Sequence, residues 1–162
     1  MQPQTNKPYF FFIILLMFIL PVLSVGIEHY AGKEQSSLMN LVGKWFIFWA
    51  VGLRLFIAGL RQASNPSFTA KSIFHIKDKE SFVIVKELGF ANICMGATGI
   101  ISLFAPQWRI AAAFFGGLYL GIAGINHIIK KPAGSNEWIT MVSDIFIFLV
   151  MVACIVNSIQ NS

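Results

Sequence analysis

The residues most able to do chemistry in this chain are a few ionisable and polar side chains set inside apolar runs. Arg54, Glu87, Asn92, Tyr119, Asn126, His127 and Asp144 all interrupt stretches of Phe, Ile, Leu, Val, Ala and Gly. A charged side chain in hydrocarbon is costly, so its presence calls for a partner or a role. Arginine keeps its charge and can hold a carboxylate in a two-point fork. Counted at about 1.5 Å per residue from the nearer run end, Arg54, Glu87 and Asp144 come to similar depths of roughly 8–9 Å, Asn126 and His127 to roughly 3–5 Å and Asn92 to about 15 Å. This predicts that Arg54 contacts Asp144, Glu87 or both. The resulting polar layer has two readings: a clamp that fixes helix register, or a binding pocket or proton site opening toward the cytoplasm. Tyr119 and Asn126 are seven residues apart, so they share a helical face and could line such a pocket together.

The elements that must carry these residues follow from composition. The chain has 162 residues, 56% hydrophobic and 12% charged, with 16 phenylalanines and a mean hydropathy of +0.70. A soluble domain carries about a quarter charged residues. The apolar excess excludes disorder, and two cysteines exclude a disulfide-rich secreted fold. The net charge of +5 does not indicate a nucleic-acid partner, because the basic residues flank apolar runs and form no face of their own. The partner implied is a lipid bilayer.

Five runs approach the length of about 20 apolar residues that a spanning helix needs. They are Tyr9 to Ile27, Leu41 to Leu60, Phe82 to Ala105, Ile110 to Ile129 and Trp138 to Val156. They do not alternate as barrel strands would. The expected fold is all-α, a polytopic membrane helix bundle. Residues 1–40 form an N-terminal membrane helix with an outer loop, and 41–162 a four-helix membrane core. The first run has a rival reading as a cleaved signal peptide, with small residues at Ser24 and Gly26. Its 19 residues and single preceding basic side chain, Lys7, favour a retained helix, which Pro21 would kink.

Loop charges give the orientation. Lys7, Arg61, Lys71, Lys77, Lys79, Lys130 and Lys131 fall on one side, against Lys33, Lys44 and Arg109 on the other. Excess Lys and Arg marks the cytoplasm. The N-terminus is expected inside and the C-terminus outside. Asn65-Pro66 is a helix start, and Ser67 to Ile76 reads either as a short helix in the headgroup layer or as an irregular loop.

The fourth run holds Gly117 and Gly121 as a GxxxG pair, with Gly124 a turn further on. These small residues point to close helix packing. Cys94 and Cys154 sit among apolar residues and read as inert buried thiols. His29, His75 and His127 lie on different segments, so no shared metal site is expected. No P-loop, GxGxxG, HExxH or nucleophile elbow occurs, and no catalytic group is assigned.

Several of these phrases resemble a known family. Gly52-Leu-Arg54 to Gly59 is similar to the first core helix of DoxX-like membrane proteins, and Glu87-Leu-Gly89 to Gly96 to their second. Asn65-Pro-Ser-Phe-Thr-Ala70, Glu87 to Asn92 and Ala123-Gly-Ile-Asn-His127 look more closely like a family of uncharacterised bacterial inner-membrane proteins. The resemblance covers roughly residues 45–150. It implies a four-helix bundle and, through DoxX-like relatives, links to quinone-dependent or thiol-related redox chemistry, with quinone as the cofactor to consider; apart from the resemblance, a haem held by His127 is the other cofactor considered. Three functions follow as expectations: a non-enzymatic membrane component that partners another protein or a second copy of itself, a small proton-coupled transporter, and a quinone-linked oxidoreductase subunit.

Overall fold

The computed structural model describes residues 7–32, 36–72, 76–132 and 134–161, the side chain of Ser72 excepted. Its helices are α1 (Lys7–Ala31), α2 (Leu38–Ser64), the short α3 (Pro66–Ser72), α4 (Ser81–Ile101), α5 (Arg109–Lys130), entered through the tight turn Pro106–Trp108, and α6 (Ser135–Gln160). Among the described residues five helices are long and apolar enough to cross a membrane, and all but α3 belong to them. The protein is an all-α, multi-pass membrane protein. The five spans coincide with the five apolar runs because hydrogen-bonded helices are the form in which such runs satisfy their backbone inside lipid.

Short connections make consecutive spans antiparallel. The starts of α1 and α6 lie at one end of the bundle, where Tyr9 Oη and Thr140 Oγ1 are 2.9 Å apart. The ends of α2 and α5 therefore lie at that end too. The core is built from α1, α2, α5 and α6: Ile13, Leu16, Met17, Ile47, Val51, Leu120, Ile147 and Met151 are its buried centre. The first span thus belongs to the core and is not an addition beside it.

The fourth helix, α4, joins by another route. It presents glycines to the backbone of α2. A Cβ added at Gly59 would lie 2.6 Å from the Gly89 carbonyl oxygen, and one at Gly99 2.7 Å from Gly52 Cα. On α5, Cβ atoms at Gly117, Gly121 and Gly124 would collide with Met151, Phe148 and Ile145 of α6. Both small-residue rows are therefore filled from within the chain.

Two spans carry widened π turns, at Leu15–Ile19 and Ile47–Leu53. The first precedes Pro21, which lacks an N–H and whose ring crowds the carbonyl four residues back. The looser turn absorbs that conflict, and α1 continues through the proline to Ala31. The second hands over to Arg54, whose N–H reaches the Trp49 carbonyl five residues back.

Asn65 caps α3 as its sequence suggests: its Oδ1 accepts from the Phe68 N–H at 3.2 Å, with Pro66 in the first turn. Arg61 lies 4.2 Å above the Phe68 ring, and Thr69 and Ala70 are buried. Of Ser67 to Ile76, read either as a short helix or as an irregular loop, 67–72 is helical, while Ile73, Phe74 and His75 lie outside the described residues, as does Lys33.

Candidate functional site

Arg54 and Asp144 meet. The guanidinium Nη2 donates to Asp144 Oδ1 at 2.6 Å, and the two residues are 7% and 2% exposed. The pair joins α2 to α6 across 90 residues of chain. The contact is made by one nitrogen, not by a fork. The other, Nη1, is buried without a hydrogen-bond partner.

Polar groups from every other span gather around this pair. Tyr9 of α1 and Tyr119 of α5 lie within electrostatic range of Arg54. Tyr119 also interacts with the Asn92 side chain of α4. Asn92 is 2% exposed and donates from Nδ2 to Gln62 Oε1 at 2.7 Å, while its own Oδ1 is unpaired. On α6, Thr140 and Ser143 donate to backbone carbonyls of their own helix at 2.8 and 2.9 Å. A buried polar group that lacks a partner destabilises by about 1–3 kcal/mol, so this clustering is a thermodynamic requirement as well as a site.

Glu87 does not join the layer. It is exposed on α4. Its depth had been matched to that of Arg54 by ending the second span at Leu60, before Arg61. The helix in fact runs on to Ser64. Arg54 therefore lies ten residues from its helix end, or about 15 Å, against six residues and about 9 Å for Glu87. Asn92, eleven residues into α4, is the buried polar residue of that helix nearest the layer. Asn126 is exposed and His127 half-buried, both in the last turns of α5 near the bundle mouth, and neither is brought to the ion pair. Tyr119, seven residues deeper, is.

The sequence reading missed Tyr9, Gln62, Asn136, Thr140 and Ser143, since hydroxyls and amides near helix ends look solvated. One signal was available for Gln62: it lies eight residues after Arg54, on the same helical face.

A second polar cluster at the opposite end was also missed. Lys44 Nζ lies 2.7 and 2.8 Å from the two oxygens of Glu28, and Trp45 Nε1 donates to Oε2 at 2.6 Å. Trp49 Nε1 donates to Ser24 Oγ at 2.9 Å. Glu28 and Lys44 flank the turn between α1 and α2 at similar distances, so their opposite signs meet across the hairpin. Two indole N–H groups at this level match the aromatic belt of a membrane interface.

The thiols differ from expectation in one respect. Cys154 is half-buried, but Cys94 is exposed. Its helix buries a glycine face against α2, which turns Cys94 toward the hydrocarbon. Small clefts include one of about 140 Å³ between α4 and α5 beside Cys94 and Gly116, and one of about 70 Å³ at the ends of α2, α5 and α6 opposite Tyr9, beside Asn40, Arg109 and Ser158. Neither is lined by Arg54 or Asp144. Among the described residues no three of His, Cys, Asp and Glu converge on one point.

No curated protein and no solved structure matches the chain. A family profile does, over residues 8–162, which spans all five membrane helices. The chain belongs to that family, DUF6790, a family of unknown function.

Proposed function

We propose that this protein is a non-enzymatic component of a bacterial inner membrane, a helical subunit that works by partnering another membrane protein or a second copy of itself. Its N-terminus lies in the cytoplasm and its C-terminus outside. The observation that carries this reading is the Arg54–Asp144 bond, closed at 2.6 Å between two nearly inaccessible residues. A pair already bonded to itself suits a clamp that sets the rotation of α2 against α6. Above it the core is solid: Val51, Ile47, Ile147 and Met151 are 0–2% exposed.

The buried apolar stretch between the ion pair and the Glu28–Lys44 cluster weighs against the transporter reading, since Ile47, Val51, Ile147 and Met151 offer a permeating ion no polar group. The quinone-linked reading rests on the DoxX-like phrases around Arg54 and Glu87, and Glu87 stands apart from the layer. Both readings rank below the first.

Purification in mild detergent, followed by native mass spectrometry and absorbance spectroscopy, tests the proposal. The expected result is a protein partner or a second copy at defined stoichiometry, with no chromophore. Stoichiometric quinone or haem would replace this reading with the redox one. In proteoliposomes, proton flux should stay at leak level for both the parent and Asp144→Asn; flux that the substitution abolishes would favour transport.

A further inference from the structure

Positions 136, 140, 143, 144, 147 and 151 of α6 follow the helical repeat and share one face. The first four are Asn136, Thr140, Ser143 and Asp144, and the last two are Ile147 and Met151. Burial deepens along this face. Asn136 and Thr140 are half-buried, Asp144 is 2% exposed, and Ser143, Ile147 and Met151 are 0% exposed. The face is polar from the bundle mouth to the ion pair and apolar beyond it.

The hydrogen bonds on this face have directions that can be worked out. The Thr140 hydroxyl has one proton and donates it to the Asn136 carbonyl at 2.8 Å. Tyr9 Oη lies 2.9 Å from the same hydroxyl. Ser143 donates to the Thr140 carbonyl at 2.9 Å. What the protein leaves unanswered here is specific: Asn136 Oδ1, Asn92 Oδ1 and Arg54 Nη1 are buried with no partner. Two are acceptors and one is a donor, so no single ion complements them. A molecule that both donates and accepts complements such a set, and the smallest is water. Buried polar groups without protein partners are where internal waters are found.

We propose that the inner third of the bundle is a blind inlet holding ordered water, which opens beside Asn136 and ends at Arg54 and Asp144. Solvent reaches the ion pair from the mouth formed by the α1 and α6 starts, and from no other side. Met17, Val51, Leu120, Ile147 and Met151, each 0–2% exposed, close it toward the opposite face. The inlet does not depend on the partner reading, because a scaffold and an enzyme subunit would both carry it. It differs from a transport path in having one opening.

The test compares two equally buried positions one turn apart. In a Cys94→Ala/Cys154→Ala background, Ser143→Cys and Ile147→Cys are exposed to a small, positively charged, membrane-impermeant methanethiosulfonate, applied to either side of proteoliposomes. A thiol reacts as the solvated thiolate, so Ser143→Cys should react at least about tenfold faster than Ile147→Cys, and only from the Asn136 side. Equal rates, or reaction from the opposite side, would overturn the inlet. Should Ser143→Cys fail to fold, radiolytic hydroxyl-radical labelling of the parent protein gives an independent answer. Tyr119 should be modified while Met17 and Met151, intrinsically more reactive, are spared. Modification of either methionine to the level of Tyr119, or none at Tyr119, would sink the proposal.

Discussion

Among the described residues Arg54 is held by one hydrogen bond where its planar fork could make two, and Asp144 is its one charged partner. Removing one member leaves the other as an uncompensated buried charge, whereas replacing both leaves no buried charge. Asp144→Asn and Arg54→Met should each lower stability by about 3–5 kcal/mol, and the double variant Arg54→Met/Asp144→Leu should recover most of that loss. Thermal denaturation in detergent checks it; single and double variants with additive losses would contradict a paired clamp. The outer Glu28–Lys44 pair is more accessible, with side chains 30% and 21% exposed, so Glu28→Gln should be milder, about 1 kcal/mol or less. At this scale much was legible in advance. Charges of opposite sign inside hydrocarbon must find each other, so Arg54 and Asp144 could be paired by type and approximate depth. Glu87 could not be separated from them, because its depth depends on where α2 stops, and Arg61 suggested an end that the helix passes by three residues.

Among the elements, the tightest joint is between α2 and α4, where backbone meets backbone. A Cβ at Gly96 would strike the Phe56 nitrogen and the Gly52 carbonyl, the latter at 2.7 Å. No side chain there can turn aside. Gly96→Ala is expected to destabilise by about 1–3 kcal/mol through overpacking. Gly26 of α1 has nothing within 4 Å of an added Cβ, so Gly26→Ala should be neutral or stabilising by about 0.5–1 kcal/mol. Thermal denaturation of the two variants side by side separates close approach from helix propensity. The first span gives a further prediction. It supplies Ile13, Leu16 and Met17 to the core, the Tyr9 contact with α6 and the Ser24 contact with α2. A chain lacking residues 1–26 should therefore aggregate or elute as a broad species in size-exclusion chromatography, where the full chain elutes as one. The glycine rows were readable as packing surfaces, but not which helix each would meet, since a small-residue stripe accepts any neighbour that comes close. The π turns were not readable, apart from the conflict that Pro21 poses inside an unbroken run.

For the whole molecule, the charge asymmetry makes a claim about topology that is independent of the site. Seven Lys or Arg in the N-terminal segment and the 61–81 and 130–137 loops face three on the other side. A protease-cleavable tag after Ser162 should be cut from outside intact spheroplasts, and the same tag inserted beside Lys131 should be protected. The reverse pattern would invert the bundle and, with it, the side on which the inlet opens. Hydropathy and charge are sums along the chain, and each apolar run must close its own backbone hydrogen bonds in lipid. The number of spans, their boundaries to within a few residues and the all-α class could therefore be read without coordinates. Which side chains meet depends on the rotation and height of each helix. Those are set by how closely glycines let two backbones approach and by the offset a π turn introduces, neither of which adds up residue by residue. For that reason Gln62, Tyr9 and Thr140 could be assigned to the layer around Arg54 and Asp144 only after the helices had been placed against one another.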